Sequence, residues 1–160
     1  MASIDSQGSE LFFSLDGSTL AKFECPTAIT GGGYSTAEIN EDCLDSPYAS
    51  TRPGRKTLSP FTIPFIVQDG SEIHEWLLNT ADGPSELLPF ALALSNGTDD
   101  PVLTDGVFAA PGTAPNYTRT VAVGNGYIGN LTIDLANGDV VRGSFTFSPK
   151  AMTWQFRNPA

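Results

Sequence analysis

The chain has 160 residues, is 40% hydrophobic with ten phenylalanines, and carries 18 acidic against 8 basic side chains, a formal net charge of −10. That length and apolar content suit one domain with a real core, residues 1–160, and argue against disorder. So few cations argue against free-standing nucleic-acid binding, and no apolar run reaches the roughly 18 to 20 residues needed to span a membrane.

Sixteen glycines and twelve prolines, scattered rather than clustered, suit many short elements joined by turns. Residues 1–9 are polar and read as a flexible N-terminus with no cationic-then-apolar signal, so synthesis in the cytosol is expected. Cys25 and Cys43 are then free thiols that pack as small hydrophobes, and the sequons at Asn96, Asn116 and Asn130 carry no information. Leu11 to Leu15 and Thr19 to Cys25 form two extended runs about Asp16-Gly17.

The stretch from Ile29 to Lys56 then interrupts the strands as a long irregular loop. It opens on Gly31 to Gly33, turns acidic at Glu38, Glu41, Asp42 and Asp45, and ends basic at Arg52, Arg55 and Lys56. Charge ordered this way suggests that copies meet there, with Glu38, Asp42 and Asp45 of one approaching Arg52, Arg55 or Lys56 of another.

Thr57 to Gln68 reads as a single strand whose Pro60 and Pro64 require an edge, a bulge or positions turned from the partner. Asp69 to Ala81 predicts the one helix, capped by Asp69 or Ser71, with Ile73, Trp76, Leu77 and Ala81 on one face and Asp82-Gly83-Pro84 as its stop. Leu87 to Leu94 follows as a strand, and Ser95 to Asn116 as a second irregular segment. Its Asp99, Asp100 and Asp105 lack the alternating spacing of a calcium loop.

Thr118 to Val123, Tyr127 to Leu135 and Val140 to Phe147 are the closing strands, with Trp154 and Phe156 completing the sheet and 157–160 fraying. A three-residue turn with Gly138 in a left-handed bulge would pair Ile133 with Val141, Leu131 with Gly143 and Tyr127 with Phe147. One face is then apolar, and Asn130, Thr132, Asp134, Arg142, Ser144 and Thr146 form the other.

Nothing in the sequence assembles a catalytic site. The one histidine, His74, lies mid-helix; it could meet Cys25 in space, but no local signature supports a thiol and imidazole pair. There is no CxxC, phosphate loop or dinucleotide fingerprint, and Gly31 to Gly33 reads as a turn. No enzyme, metal or cofactor is expected.

The order of a Gly-rich turn, Glu38-Ile39-Asn40, Cys43-Leu44-Asp45-Ser46 and a Pro/Gly/basic loop into a strand resembles the tail tube proteins of long-tailed, lambda-like phages. The resemblance covers most of the chain in element order and is concentrated in Glu38 to Ser46. It implies a mainly β domain, a two-sheet β-sandwich or barrel-like fold with one flanking helix at about 69–81 and a long loop between early strands. It further implies rings of six stacked into a hollow virion tail tube, whose strands line the channel. The implied partners are further copies of the chain, a tape-measure protein, and tail terminator and tail tip proteins. DNA is passing cargo, no membrane is involved, and assembly takes place in the host cytoplasm. Six times −10 is −60 formal charges per ring, and an acidic lumen would repel phosphates during ejection. The rival reading is a carbohydrate- or surface-binding β-sandwich that uses Tyr34, Tyr48 or Tyr117 as ligand platforms.

Overall fold

The computed structural model describes residues 2–80 and 86–158. The expected helix end at Ala81 and its stop at Asp82-Gly83-Pro84 lie outside the described residues. The chain forms β1 (Glu10–Ser14), β2 (Leu20–Lys22), β3 (Tyr34–Asn40), β4 (Thr51–Leu58), β5 (Phe61–Ile66), helix α1 (Glu72–Thr80) and β6 (Leu88–Ala93). It continues through β7 (Val102–Thr104), β8 (Val107–Ala109), β9 (Gly112–Thr113) and β10 (Asn116–Tyr117) to the long β11 (Val121–Asp134) and β12 (Arg142–Gln155). The fold is mainly β with one helix, as the sequence leads one to expect.

Six strands form one antiparallel sheet in the order β2-β1-β6-β11-β12-β5. Alternation decides its two faces. On one, Phe13, Phe23, Phe61, Phe65, Phe90, Phe145 and Phe147 pack with Ile73 and Leu77 of α1. Several rings meet edge to face, including Phe23 and Phe65 with centroids 5.2 Å apart. On the other face Phe12, Ala91, Ala93, Val121 and Val123 are covered by Phe108 and Ala110.

Trp76 is partly buried on the helix, whereas His74 is fully inside, against Phe23 and Phe65. Its Nδ1 accepts from the Gln68 N–H at 3.0 Å and its Nε2 lies 2.8 Å from the Glu24 carbonyl. These bonds tie the start of α1 to the end of β2. The imidazole is therefore a structural bridge, occupied on both sides.

Several local expectations need correction. The run from Thr57 to Gln68 is split at Ser59-Pro60, so its beginning belongs to β4 and only Phe61–Ile66 enters the main sheet. That part is an edge strand, the first of the three options its prolines left, but the edge is not open. The segment from Cys25 to Thr30 lies along it, with Thr27 N donating to Pro64 O at 2.8 Å and Thr62 N to Thr30 O at 2.7 Å. The expected irregular segment between Ser95 and Asn116 contains the small hairpins β7-β8 and β9-β10. Cys25 and Cys43 are free but exposed, not packed. Cys25 sits at φ +52° where the chain turns along β5, and Cys43 lies in an exposed connection with no core of its own.

Register in the last hairpin also differs. Ile133 pairs with Gly143 and Asp134 with Arg142, leaving a seven-residue connection at 135–141. The chain leaves the ladder there because Val67 N bonds Val141 O at 3.0 Å, and Arg142 Nε reaches Asp139 Oδ2 at 3.1 Å. A bulge at Asn130, with φ +51°, then inserts one residue, so Ile128 rather than Tyr127 packs on the core. Thr132, Asp134, Arg142, Ser144 and Thr146 keep the polar face that alternation gives them.

Between β10 and β11 stands a group the sequence did not announce. The Arg119 side chain is wholly buried. Nε donates to Leu94 O at 2.6 Å, Nη1 to Asp99 O at 3.1 Å, and Nη2 to Gly8 O and Glu10 Oε1, each at 3.2 Å. Glu10, held also by Lys22 at 2.8 Å, keeps a carboxyl below its ordinary range despite partial burial. Removing the guanidinium strands these acceptors inside. Arg119→Leu should cost about 3–5 kcal/mol, read as a fall in the urea midpoint with unchanged slope.

The β1–β2 turn is built on Asp16, whose Oδ1 accepts from the N–H groups of Ser18 at 2.9 Å and Thr19 at 2.7 Å. These bonds, that to Ser18 foremost, lower its carboxyl from 3.8 to about 2. A depressed acid stabilises the fold fully above its unfolded value and loses that contribution as pH falls through its folded one. The contribution of this turn should therefore fade from just below pH 4 toward pH 2. NMR titration of the Asp16 carboxyl checks the value, and Asp16→Ala should remove that part of the acid limb.

Candidate assembly surface

Residues 29–56, expected to be an irregular loop, contain a β-hairpin. β3 and β4 pair only with each other, from Tyr34 with Leu58 to Asn40 with Thr51. Every residue of β3 is exposed, as is all of β4 except Gly54 and Leu58. Seven residues of extended chain reach roughly 23 Å, so this is an arm standing off the body. Its sequence explains why it pairs while burying so little: Tyr34 falls on one face with Thr36, Glu38 and Asn40, and Ala37 and Ile39 on the other with Ser35, so no continuous apolar face results.

The arm is anchored at its root. Gly31 and Gly32 adopt φ +110° and +75°, a region that L side chains rarely enter. A Cβ on Gly31 would collide with the Pro60 carbonyl, and one on Gly32 with the Phe61 ring. Gly31 and Gly32 thus let the chain pass tightly over the start of β5. Ser59 N then donates to Gly33 O at 2.7 Å, closing the base.

Of the six residues singled out from the sequence, Glu38 lies on β3 opposite Pro53, while Asp42 and Asp45 lie in the exposed connection 41–50. Arg52 Nε is 2.6 Å from Glu41 Oε1, an ion pair within the arm. Lys56 Nζ stands 5.2 Å from the centroid of the Tyr34 ring, also within the arm. Arg55 sits at a bulge, where Gly54-Arg55 on β4 oppose Ala37 alone. Among the described residues Glu38, Asp42, Asp45 and Arg55 are in no ion pair. Part of the charge segregation is therefore satisfied inside one hairpin. The partner that the sequence reading missed is Glu41, and only the hairpin register reveals it.

A second surface is the outer side of β5, β12 and β11. Thr62 pairs with Thr146 and that with Gly129, while Pro64 pairs with Ser144 and that with Thr132. Thr146 Oγ1 donates to Gly129 O at 3.0 Å, and Thr30 continues the row beyond β5. The middle of this face offers hydroxyls and no charge. At one end Arg142 is held by Asp139, whose carboxyl that guanidinium keeps below its usual range.

The model of the lambda-like phage tail tube family matches residues 2–157. This chain belongs to that family. Tail tube proteins are structural components of virion tails. No curated protein sequence matches the chain. Among solved structures, the SPP1 tail tube matches with a TM-score of 0.65 at 13% identity, over 97% of this chain and 80% of that one. A chain of the anti-feeding prophage baseplate matches with a TM-score of 0.69 at 8% identity, over 98% and 97%. A chain from the tail of a gene transfer agent particle matches with a TM-score of 0.63 at 11% identity, over 95% and 98%. At these identities the likeness is one of fold.

Within this tail tube fold the arm rests on backbone pairing and surface ion pairs alone. An isolated two-stranded hairpin is marginal in water. Arm amides of an unassembled chain should exchange more than about 100-fold faster than those of β6 and β11. Amide exchange by mass spectrometry, resolved to 34–58, measures this directly.

Proposed function

We propose that six copies of this chain close into a ring and that rings stack into the tube of a phage tail, built around a tape-measure protein. Tail terminator and tail tip proteins would bound the tube, and DNA would traverse it into the host. The chain does no catalysis in this role and assembles in the host cytoplasm. The observation that carries the reading is the arm: a hairpin exposed at all but Gly54 and Leu58, joined to the body by a root that excludes side chains, gains further burial from another molecule.

The outer face of β5, β12 and β11 suits the channel wall. Phosphates are retained by unpaired cations, and Thr30, Thr62, Ser144, Thr146 and Thr132 supply none. The net charge of −10 per chain adds a repelling field around the passage. The rival reading of a sugar-binding module loses its support at Tyr34, which stacks under Lys56 of its own arm, and at Tyr117, which is half-buried against the second core cluster.

Glu38, Asp42, Asp45, Arg52, Arg55 and Lys56 are proposed to lie where copies meet and to pair with charges of a neighbour. Each exposed pair contributes roughly 0.2–1 kcal/mol, repeated at every subunit. Negative-stain imaging of the purified protein should show rings or tubes. The triple variant Arg52→Glu, Arg55→Glu, Lys56→Glu should stay folded by circular dichroism and stop tube growth. Unaltered tubes from it would remove the arm from the assembly.

A further inference from the structure

We infer that the groove between β2 and α1 receives the basic strand β4 of the arm of a second copy. This rests on the tube reading above and deepens it, by giving the arm a specific seat on the body.

The two ends of the main sheet differ. β5 is covered by the segment from Cys25 to Thr30, whereas β2 ends the sheet with its outer side unpaired among the described residues. Phe23 N donates to Leu11 O at 2.7 Å, so alternation turns the N–H and C=O groups of Leu20 and Lys22 away from β1. An open edge of this kind takes an added strand.

Beside that edge runs a groove of about 620 Å³, bounded by the β1–β2 turn and the first turn of α1. Leu15, Leu20 and Ile73 supply its apolar floor, and Asp16, Glu24 and Glu72 its exposed charge. Lys22, the one cation on its wall, is already held by Glu10 at 2.8 Å. Glu72 also offsets the positive end of α1. The groove is therefore acidic, and its floor suits the aliphatic stems of long cationic side chains.

The arm offers the complement. Arg55 has no ion-pair partner among the described residues, and Lys56 has only the Tyr34 ring. Both follow Gly54 at the bulge, on an extended and exposed strand whose far side is unpaired. Arg52 is engaged by Glu41 of its own arm, which leaves Arg55 and Lys56 as the cations free to reach out. Their counterpart carboxylates are then those of a neighbour's body rather than those of a neighbour's arm. Charge complementarity, an open strand edge and an extended guest coincide at this one place.

The test is a charge exchange with a cross-link to support it. Glu24→Lys with Glu72→Lys on the groove, and Arg55→Glu with Lys56→Glu on the arm, should each abolish tubes seen by negative stain. Combined in one chain, the four should restore them. All four residues are exposed, and unchanged thermal melting verifies the fold. In wild-type tubes grown from mixed light- and heavy-isotope protein, a zero-length carbodiimide should join Lys56 of one copy to Glu24, Glu72 or Asp16 of another. Tubes indifferent to the groove reversals, no recovery in the combined chain, or cross-links from Lys56 to a neighbour's Glu38, Asp42 or Asp45 would each overturn the inference and leave the tube reading standing. A wild type that stays monomeric at high concentration would overturn both.

Discussion

The association of seven phenylalanines on one side of a single sheet organises the molecule. Phe13 on β1, Phe90 on β6, Phe145 and Phe147 on β12, and Phe61 and Phe65 on β5 face the same way because their strands pair in a fixed register. Phe23, just beyond β2, completes the cluster, and α1 lies over it through Ile73 and Leu77. Removal of this apolar area from water supplies the main driving force, at about 25 cal/mol per Å² buried. Once the rings are satisfied in the body, nothing apolar remains to recruit the arm. Its detachment follows from where the sequence puts its phenylalanines, none of which lies between Ile29 and Lys56.

Much of this was legible in the residues. The helix shows through Ile73, Trp76 and Leu77, an edge as one of three options for β5 through its prolines, and the polar face of the last hairpin through alternation. What was hidden has identifiable causes. The arm reads as a loop because an exposed hairpin has no apolar alternation to advertise it, and Pro53 with Gly54 weighs against a strand. The register beside Gly138 was missed because Val141 leaves the hairpin to bond Val67, and Ile128 takes the place of Tyr127 because a bulge at Asn130 changes parity without leaving a distinctive residue. Arg119 was invisible for a different reason: its partners are mostly carbonyls, from Gly8, Leu94 and Asp99, and carbonyls have no sequence signature.

Charge is divided between satisfied and available groups. Arg119, Arg142, Lys22 and Arg52 are all committed to carboxylates of their own chain. Pairing leaves the net charge unchanged but raises the proportion of acid among the uncommitted groups, so the uncommitted cations become conspicuous. Of the six charged residues singled out in the arm, Arg52 meets Glu41 and Lys56 meets the Tyr34 ring, both within the arm itself. Segregation along the chain was visible, but distance in space was not.

Arg119 binds Gly8 and Glu10 across 111 and 109 residues of chain, and β1 must find β6 across some eighty more residues than a hairpin would require. Contacts so remote in sequence make for slow folding, since the entropy of closing long loops is lost before any contact repays it. The same docking of β1 fixes β2, and with it the one edge of the six-stranded sheet left open among the described residues. Time thereby becomes a safeguard: a nascent or half-folded chain has no finished edge to offer, so the proposed seat for a neighbour's arm exists only in a molecule that has already matured.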